Sequence, residues 1–188
     1  MFVTTFDHEF LIMGDKNYIL TKEEAAFKMQ RLALEIAEQL QGDDAELVII
    51  GVQTQGSVIA EKIGELVKPY LTMPVKIISA KLNKDFPIDI VFSEDLDFNQ
   101  KNILVIDDVV NNGKTLLYMM KPLLNFHPKR IQTLVLVERM HKLFPIKPDY
   151  IGLSIATTLQ DHIVVEVRNG EVFGAVLCNQ DERSIVRT

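Results

Sequence analysis

Three short apolar runs, rich in branched residues and almost free of polar interruption, constrain this chain more than anything else in it: Leu47-Val48-Ile49-Ile50, Ile103-Leu104-Val105-Ile106 and Leu134-Val135-Leu136-Val137. A strand with one face in water alternates apolar and polar residues. A continuous run reads as a strand buried on both faces. Between the runs lie patterns of helical period, through Val58, Ile59, Ile63, Leu66 and Val67 and through Leu116, Met119, Met120 and Leu123. Strands alternating with helices predict an α/β fold: a mostly parallel, twisted sheet flanked by helices. A further helix is predicted over about 22–41, where Thr21 and Glu24 form a capping box ahead of Ala25, Met29, Leu32, Ile36 and Leu40. Val75-Lys76-Ile77-Ile78 reads as another strand, and 79–99 as a flexible polar excursion with hairpin character. Near the end, Arg168-Asn169-Gly170-Glu171 separates two strand-like stretches, and Asn-Gly there signals a hairpin.

In parallel sheets, ligands bind beyond the carboxyl ends of the strands, which directs attention to the turns after Gly51, Ile106 and Val137. The most informative is Ile103 to Thr115, ILVIDDVVNNGKT. Two carboxylates, Asp107 and Asp108, end a buried strand. A loop of Asn111, Asn112 and Gly113 then leads to a helix start at Lys114 and Thr115. A helix N-terminus offers unpaired N–H groups and the positive end of its dipole, which suits a phosphate. Carboxylates repel a phosphate but accept hydrogen bonds from sugar hydroxyls. The segment therefore predicts a sugar-phosphate site. Gly113-Lys114-Thr115 imitates the end of a nucleotide-binding P-loop, but Asp108 stands where that motif needs a glycine. The four histidines have no metal-site spacing, and Cys178 is the only cysteine.

The net charge of −6 and the absence of a dense basic stripe disfavour a dedicated nucleic-acid binder. The loosest basic cluster, Arg139, His141, Lys142 and Lys147, reads as a solvated loop. No run approaches the roughly 18 apolar residues of a membrane span, and the N-terminus lacks the pattern of a secretion signal. The expectation is a cytoplasmic protein with no membrane contact.

At ILVIDDVVNNGKT the sequence resembles the type I phosphoribosyltransferases. VIIGVQTQGSVIA, Val48 to Ala60, is similar to that family's pyrophosphate loop. LVLVERMHKLFPIKPDYIGLSI, Leu134 to Ile155, is similar to the uracil phosphoribosyltransferases that also regulate pyrimidine operons by binding mRNA. The resemblance covers most of 18–177. It implies one domain over 1–188, with a core of about 18–137, a small hood from the N-terminal segment and about 138–188, and a closing loop at about 79–99. It implies transfer from 5-phosphoribosyl-1-pyrophosphate to a nucleobase, with Mg2+, in a homo-oligomer, a dimer or tetramer. RNA binding is possible under it but not favoured by the charge.

Under this resemblance Asp107, Asp108 and Asn111 are the catalytic positions, and the two acids act on the metal indirectly, through ribose hydroxyls or water. Asn112, Gly113, Lys114 and Thr115 hold the 5-phosphate, Thr54, Gln55 and Gly56 the pyrophosphate, and Glu138, Arg139 and Ile163 lie at the base. An ionised acid at 138 cannot donate to the 6-oxo group of a purine, so uracil is favoured over hypoxanthine. Two alternatives stay open: a hypoxanthine-type salvage enzyme, and a catalytically weak nucleotide-binding regulator of pyrimidine genes. Gln53 and Gln55, where uracil enzymes of the group carry basic residues, and Asn112, where Thr is usual, support the second.

Overall fold

The structure is a computed structural model that describes residues 17–83, 89–158 and 161–178. The elements run β1 (Asn17–Leu20), α1 (Lys22–Gln39), β2 (Leu47–Val52), α2 (Gln53–Val67), β3 (Val75–Leu82), β4 (Ile90–Phe92), β5 (Asn102–Val110), α3 (Lys114–Leu123), β6 (Arg130–Arg139), β7 (Tyr150–Ile155), β8 (His162–Arg168) and β9 (Glu171–Cys178). A six-stranded sheet has the order β4-β3-β2-β5-β6-β7, and a three-stranded sheet the order β1-β9-β8. In the large sheet only β4 runs antiparallel.

Apolar side chains from both faces of the central strands explain the continuous runs. Leu47, Ile49, Leu104 and Ile106 pack with α1 and α2, while Val48, Ile50, Ile103 and Val105 pack with α3. Helix α1 starts as its capping box predicts. The Thr21 hydroxyl accepts from the Glu24 N–H at 3.2 Å, and the Glu24 carboxylate accepts from the Thr21 N–H at 2.9 Å. Its buried stripe is Ala25, Met29, Leu32, Ala33 and Ile36. The outer edge of β7 meets the Arg31 guanidinium, which donates to the Ile151 carbonyl at 2.7 Å, so part of an open sheet edge is closed by a side chain.

Several expectations shift. β3 runs on to Leu82 and pairs with β4, so the excursion at 79–99 contains a hairpin, whose central residues 84–88 lie outside the described residues. β7 extends the large sheet, because its backbone pairs in parallel with β6 from Tyr150 to Ile155. Residues 138–139 and 150–155, expected in the hood, therefore belong to the large sheet. The small sheet comes from β1 and 162–178 alone among the described residues. Its Leu20, Ile163, Val165, Val172 and Ala175 join the same apolar cluster as α1 and α2. Asn169 and Gly170 turn between β8 and β9 with φ of 50° and 74°, the paired positive values of a tight hairpin.

Candidate active site

The strand order reverses between β2 and β5. The connection β2-α2-β3 runs to one side and β5-α3-β6 to the other. Such a switch point opens a crevice at the carboxyl ends of the two strands that part there. Three pieces singled out in the sequence meet at this point: the start of α2, the acids of β5 and the loop before α3.

The acids do not end their strand. β5 continues through them, since Asp107 pairs with Val135, Val109 with Val137 and Val110 with Glu138 of β6. The ladder to β6 overrides the local preference of two adjacent carboxylates for a turn. Asp107 is only 2% exposed, and its carboxylate accepts the Asp108 N–H at 3.0 Å. Asp108 is half-buried.

Thr54, Gln55 and Gly56, which the sequence places in the turn after Gly51, form with Gln53 the first turn of α2. Gln53 takes a φ of 59°, turning the chain from β2 into α2, and its amide donates to the Leu82 carbonyl at the end of β3. No side chain caps this N-terminus and no acid sits in its first turn, an arrangement open to an anion. Gly56 lies against β5: a Cβ there would come within 2.7 Å of the Ile106 carbonyl oxygen and 3.3 Å of the Asp107 Cα. The first turn of α2 thus lies directly against the backbone of β5 beside Asp107, an approach open to residue 56 because it has no side chain.

Across the crevice, Gly113 caps α3 with a φ of 88°, a conformation that favours glycine. The Asn112 side chain accepts the Lys114 N–H at 3.0 Å. Its backbone carbonyl accepts the N–H groups of Leu143 and Phe144 at 3.1 and 3.0 Å. The connection from β6 to β7 is therefore a strap tied over the loop that precedes α3. Asn111 is exposed, and Lys114 and Thr115 are half-buried at the helix start.

The basic cluster read as a solvated loop is in part interior. Arg139 is 8% exposed and donates to the Thr158 carbonyl, while its Nε is buried without a hydrogen-bond partner. Glu138 is 6% exposed. Lys142 pairs with one of its oxygens at 2.6 Å, and the Ser154 hydroxyl donates to the other at 2.8 Å. Burial alone would raise the Glu138 carboxyl, but the hydrogen bonds from Lys142 and Ser154, together with the charges of Lys142 and Lys147, outweigh it and lower the group from its ordinary value. Sequence reading missed Lys142 and Ser154. The spacing of four between Glu138 and Lys142 was the available signal. Ile163 is 7% exposed and packed in the apolar cluster of α1 and α2, at the start of the small sheet. Among the described residues, no group of three or more His, Cys, Asp and Glu side chains could hold a metal ion. No helix among them is long and apolar enough to cross a membrane.

A switch-point crevice with acids on one strand and a glycine-capped helix start beside it defines a class, and family comparison agrees. Residues 16–169 match the phosphoribosyl transferase domain, and the chain belongs to that family. Within it the chain is similar to the bifunctional protein PyrR. It is 30% identical to that of Macrococcus caseolyticus over 80% of this chain and 91% of the relative, and 32% identical to that of Acetivibrio thermocellus over 86% and 92%. Among solved structures, the hypoxanthine phosphoribosyltransferase of Trypanosoma cruzi superposes with a TM-score of 0.74 at 16% identity, covering 87% of this chain and 97% of that one. The type I phosphoribosyltransferase fold expected from the sequence is the fold observed.

Proposed function

We propose that the protein transfers the phosphoribosyl group of 5-phosphoribosyl-1-pyrophosphate to a nucleobase, uracil in preference to others, releasing pyrophosphate and the nucleoside monophosphate. One observation carries this reading: an uncapped helix start, paired carboxylates and a glycine-capped phosphate loop converge where β2 and β5 part. The similarity to PyrR proteins and the carboxylate at Glu138, an acceptor for a pyrimidine N–H, support uracil.

In this reading Asp107 and Asp108 accept hydrogen bonds from the ribose hydroxyls, and Asn111 to Thr115 hold the 5-phosphate. Thr54, Gln55 and Gly56 receive the pyrophosphate through the backbone N–H groups of the first turn of α2. Bond breaking at the anomeric carbon leaves an oxocarbenium-like centre and moves negative charge onto pyrophosphate. Positioning and electrostatics then dominate catalysis. Mg2+ fits the site. Adjacent hard-oxygen donors without a closed cage suit an ion that takes most of its ligands from substrate oxygens and water, and when bound it would offset the pyrophosphate charge. We place the protein in the cytoplasm, as a homo-oligomer.

A second reading, a regulator that binds nucleotide and turns over slowly, is favoured by Gln53. Its amide is engaged with the Leu82 carbonyl. The deciding experiment incubates the pure protein with donor, magnesium and each common nucleobase and measures pyrophosphate release. Uracil is expected to give the highest rate. No release with any base, together with tight uridine monophosphate binding, would select the regulator.

A further inference from the structure

A recess of about 200 Å³ lies outside the crevice, between α2, β3 and the residue after β4. Ser57, Glu61, Ile77, Ile78, Ser79 and Ser93 line it. Ser57 and Glu61 are four residues apart on α2, so they share one face, roughly 6 Å apart along the axis. The Ser57 hydroxyl donates to the Gln53 carbonyl, with the Gly51 carbonyl at 3.3 Å. The Ser93 hydroxyl accepts the Ser79 N–H at 3.1 Å. Neighbouring cations are engaged elsewhere: Lys62 pairs with Glu171 at 2.6 Å and Lys76 with Glu94 at 2.7 Å. Glu61 has no ion-pair partner among the described residues. Its carboxylate and the hydroxyl lone pairs surround the recess with acceptors, beside a wall of two isoleucines.

We infer that this recess binds a primary alkylammonium ion of the size of a small diamine, and that the bound cation strengthens pyrophosphate binding at the first turn of α2. An ammonium carries three N–H donors and no acceptor, the complement of this lining. At ~30 Å³ for each water-sized group the volume holds roughly six non-hydrogen atoms, as many as a four-carbon diamine has. One ammonium pairs with Glu61, and the methylenes lie on Ile77 and Ile78. The second ammonium reaches the Ser57 and Ser79 hydroxyls, one turn nearer the helix start. Carboxylates and phosphates are repelled by Glu61 and find no cation in the lining. Ser57 is itself one turn from Gln53, so the second charge sits roughly 6 Å along α2 from the turn proposed to receive pyrophosphate. That range is within a Debye length of ~8 Å, where added positive charge favours a bound polyanion. The coupling rests on the phosphoribosyl-transfer reading above; the ammonium site does not.

Isothermal calorimetry of 1,4-diaminobutane on the full chain, with and without the pyrophosphate donor, tests this. The unmodified protein should bind the diamine saturably, butylamine several-fold more weakly and butyrate not at all. Glu61→Gln should weaken the diamine roughly tenfold or more, because it removes the charged acceptor. Ser79→Ala should weaken it by a smaller factor. Glu38→Gln, which removes an exposed acid elsewhere on the surface, should change nothing. Saturating diamine should tighten the donor about fivefold, and by linkage the donor should tighten the diamine by the same factor. No diamine binding, or equal binding by Glu61→Gln, overturns the site. Diamine binding that leaves donor affinity unchanged overturns its action on α2. Coupling that persists in Glu61→Gln also overturns that action, because the diamine would then be pairing with the donor in solution. Failure to bind the donor at all, alongside diamine binding that depends on Glu61, overturns the transferase reading and upholds the site.

Discussion

Gly56→Ala would place one methyl group against the strand that carries the acids. The new Cβ would sit 2.7 Å from the Ile106 carbonyl oxygen and 3.3 Å from the Asp107 Cα, both backbone atoms that no rotamer change can move aside. A carbon and a carbonyl oxygen rest at roughly 3.3 Å or more, so the first turn of α2 must lift by roughly half an ångström. Gly56 lies inside α2 without a positive φ, so alanine suits its backbone. Helix propensity then gains about 1 kcal/mol, against an overpacking cost of about 1–3 kcal/mol. The net loss is at most ~2 kcal/mol, and at ~2–4 °C per kcal/mol for a chain of this size Tm falls by no more than ~8 °C. Binding has no such compensation. A misplacement of about 1 Å in a positioning element costs ~10²-fold, so a lift of half that should weaken donor affinity by roughly tenfold. Thermal unfolding and calorimetric titration of the donor, run on the same preparation, separate the two effects. A folded variant with unaltered donor affinity would refute the placement of pyrophosphate on this turn.

Replacing both acids, Asp107→Asn with Asp108→Asn, should abolish measurable donor binding while leaving the circular dichroism spectrum intact; unchanged titration curves would remove them from the site. Gln55→Arg should raise kcat for pyrophosphate release, since a donor to developing charge is worth ~3 kcal/mol when well placed, and a fall in kcat with intact folding would contradict that role. Arg31→Ala removes the donor to the Ile151 carbonyl and should lower urea-measured stability by about 1 kcal/mol, the guanidinium being partly solvated; an unchanged midpoint would show that water replaces it. Hydrogen bonds from Lys129 and the Ala45 N–H lower the Asp43 carboxyl from 3.8 to about 2. A depressed carboxyl stabilises the fold above its unfolded value, and that contribution disappears as pH falls from about 4 to about 2, so Asp43→Asn should flatten this part of the acid limb in pH-dependent melting.

What the sequence made legible was what local chemistry decides. The capping box at Thr21, the Asn-Gly turn at 169–170 and the apolar runs of β2, β5 and β6 all appear where their patterns place them. The misses share a cause in contacts distant along the chain. Asp107 and Asp108 sit inside β5 because β6 continues to pair with it. Tyr150 to Ile155 shows neither a buried run nor a clean alternation, and becomes a strand through its ladder to β6. The helix start at Gln53 has no capping side chain to announce it. Glu138 and Arg139 leave water because Ser154, Thr158 and the strap close around them, and a basic cluster in a linear text gives no hint of that closure.

The strap has an evolutionary consequence. Leu143 and Phe144 grip residue 112 by its backbone carbonyl, not by its side chain. Every amino acid carries that carbonyl, so the mechanical tie survives whatever side chain mutation installs there. The Asn112 amide is left with a local task at the Lys114 N–H, which a threonine hydroxyl can take over. Drift between Asn and Thr at this position can therefore proceed without loosening the tie, and a lineage can retune the loop before α3 without first rebuilding what holds the loop in place.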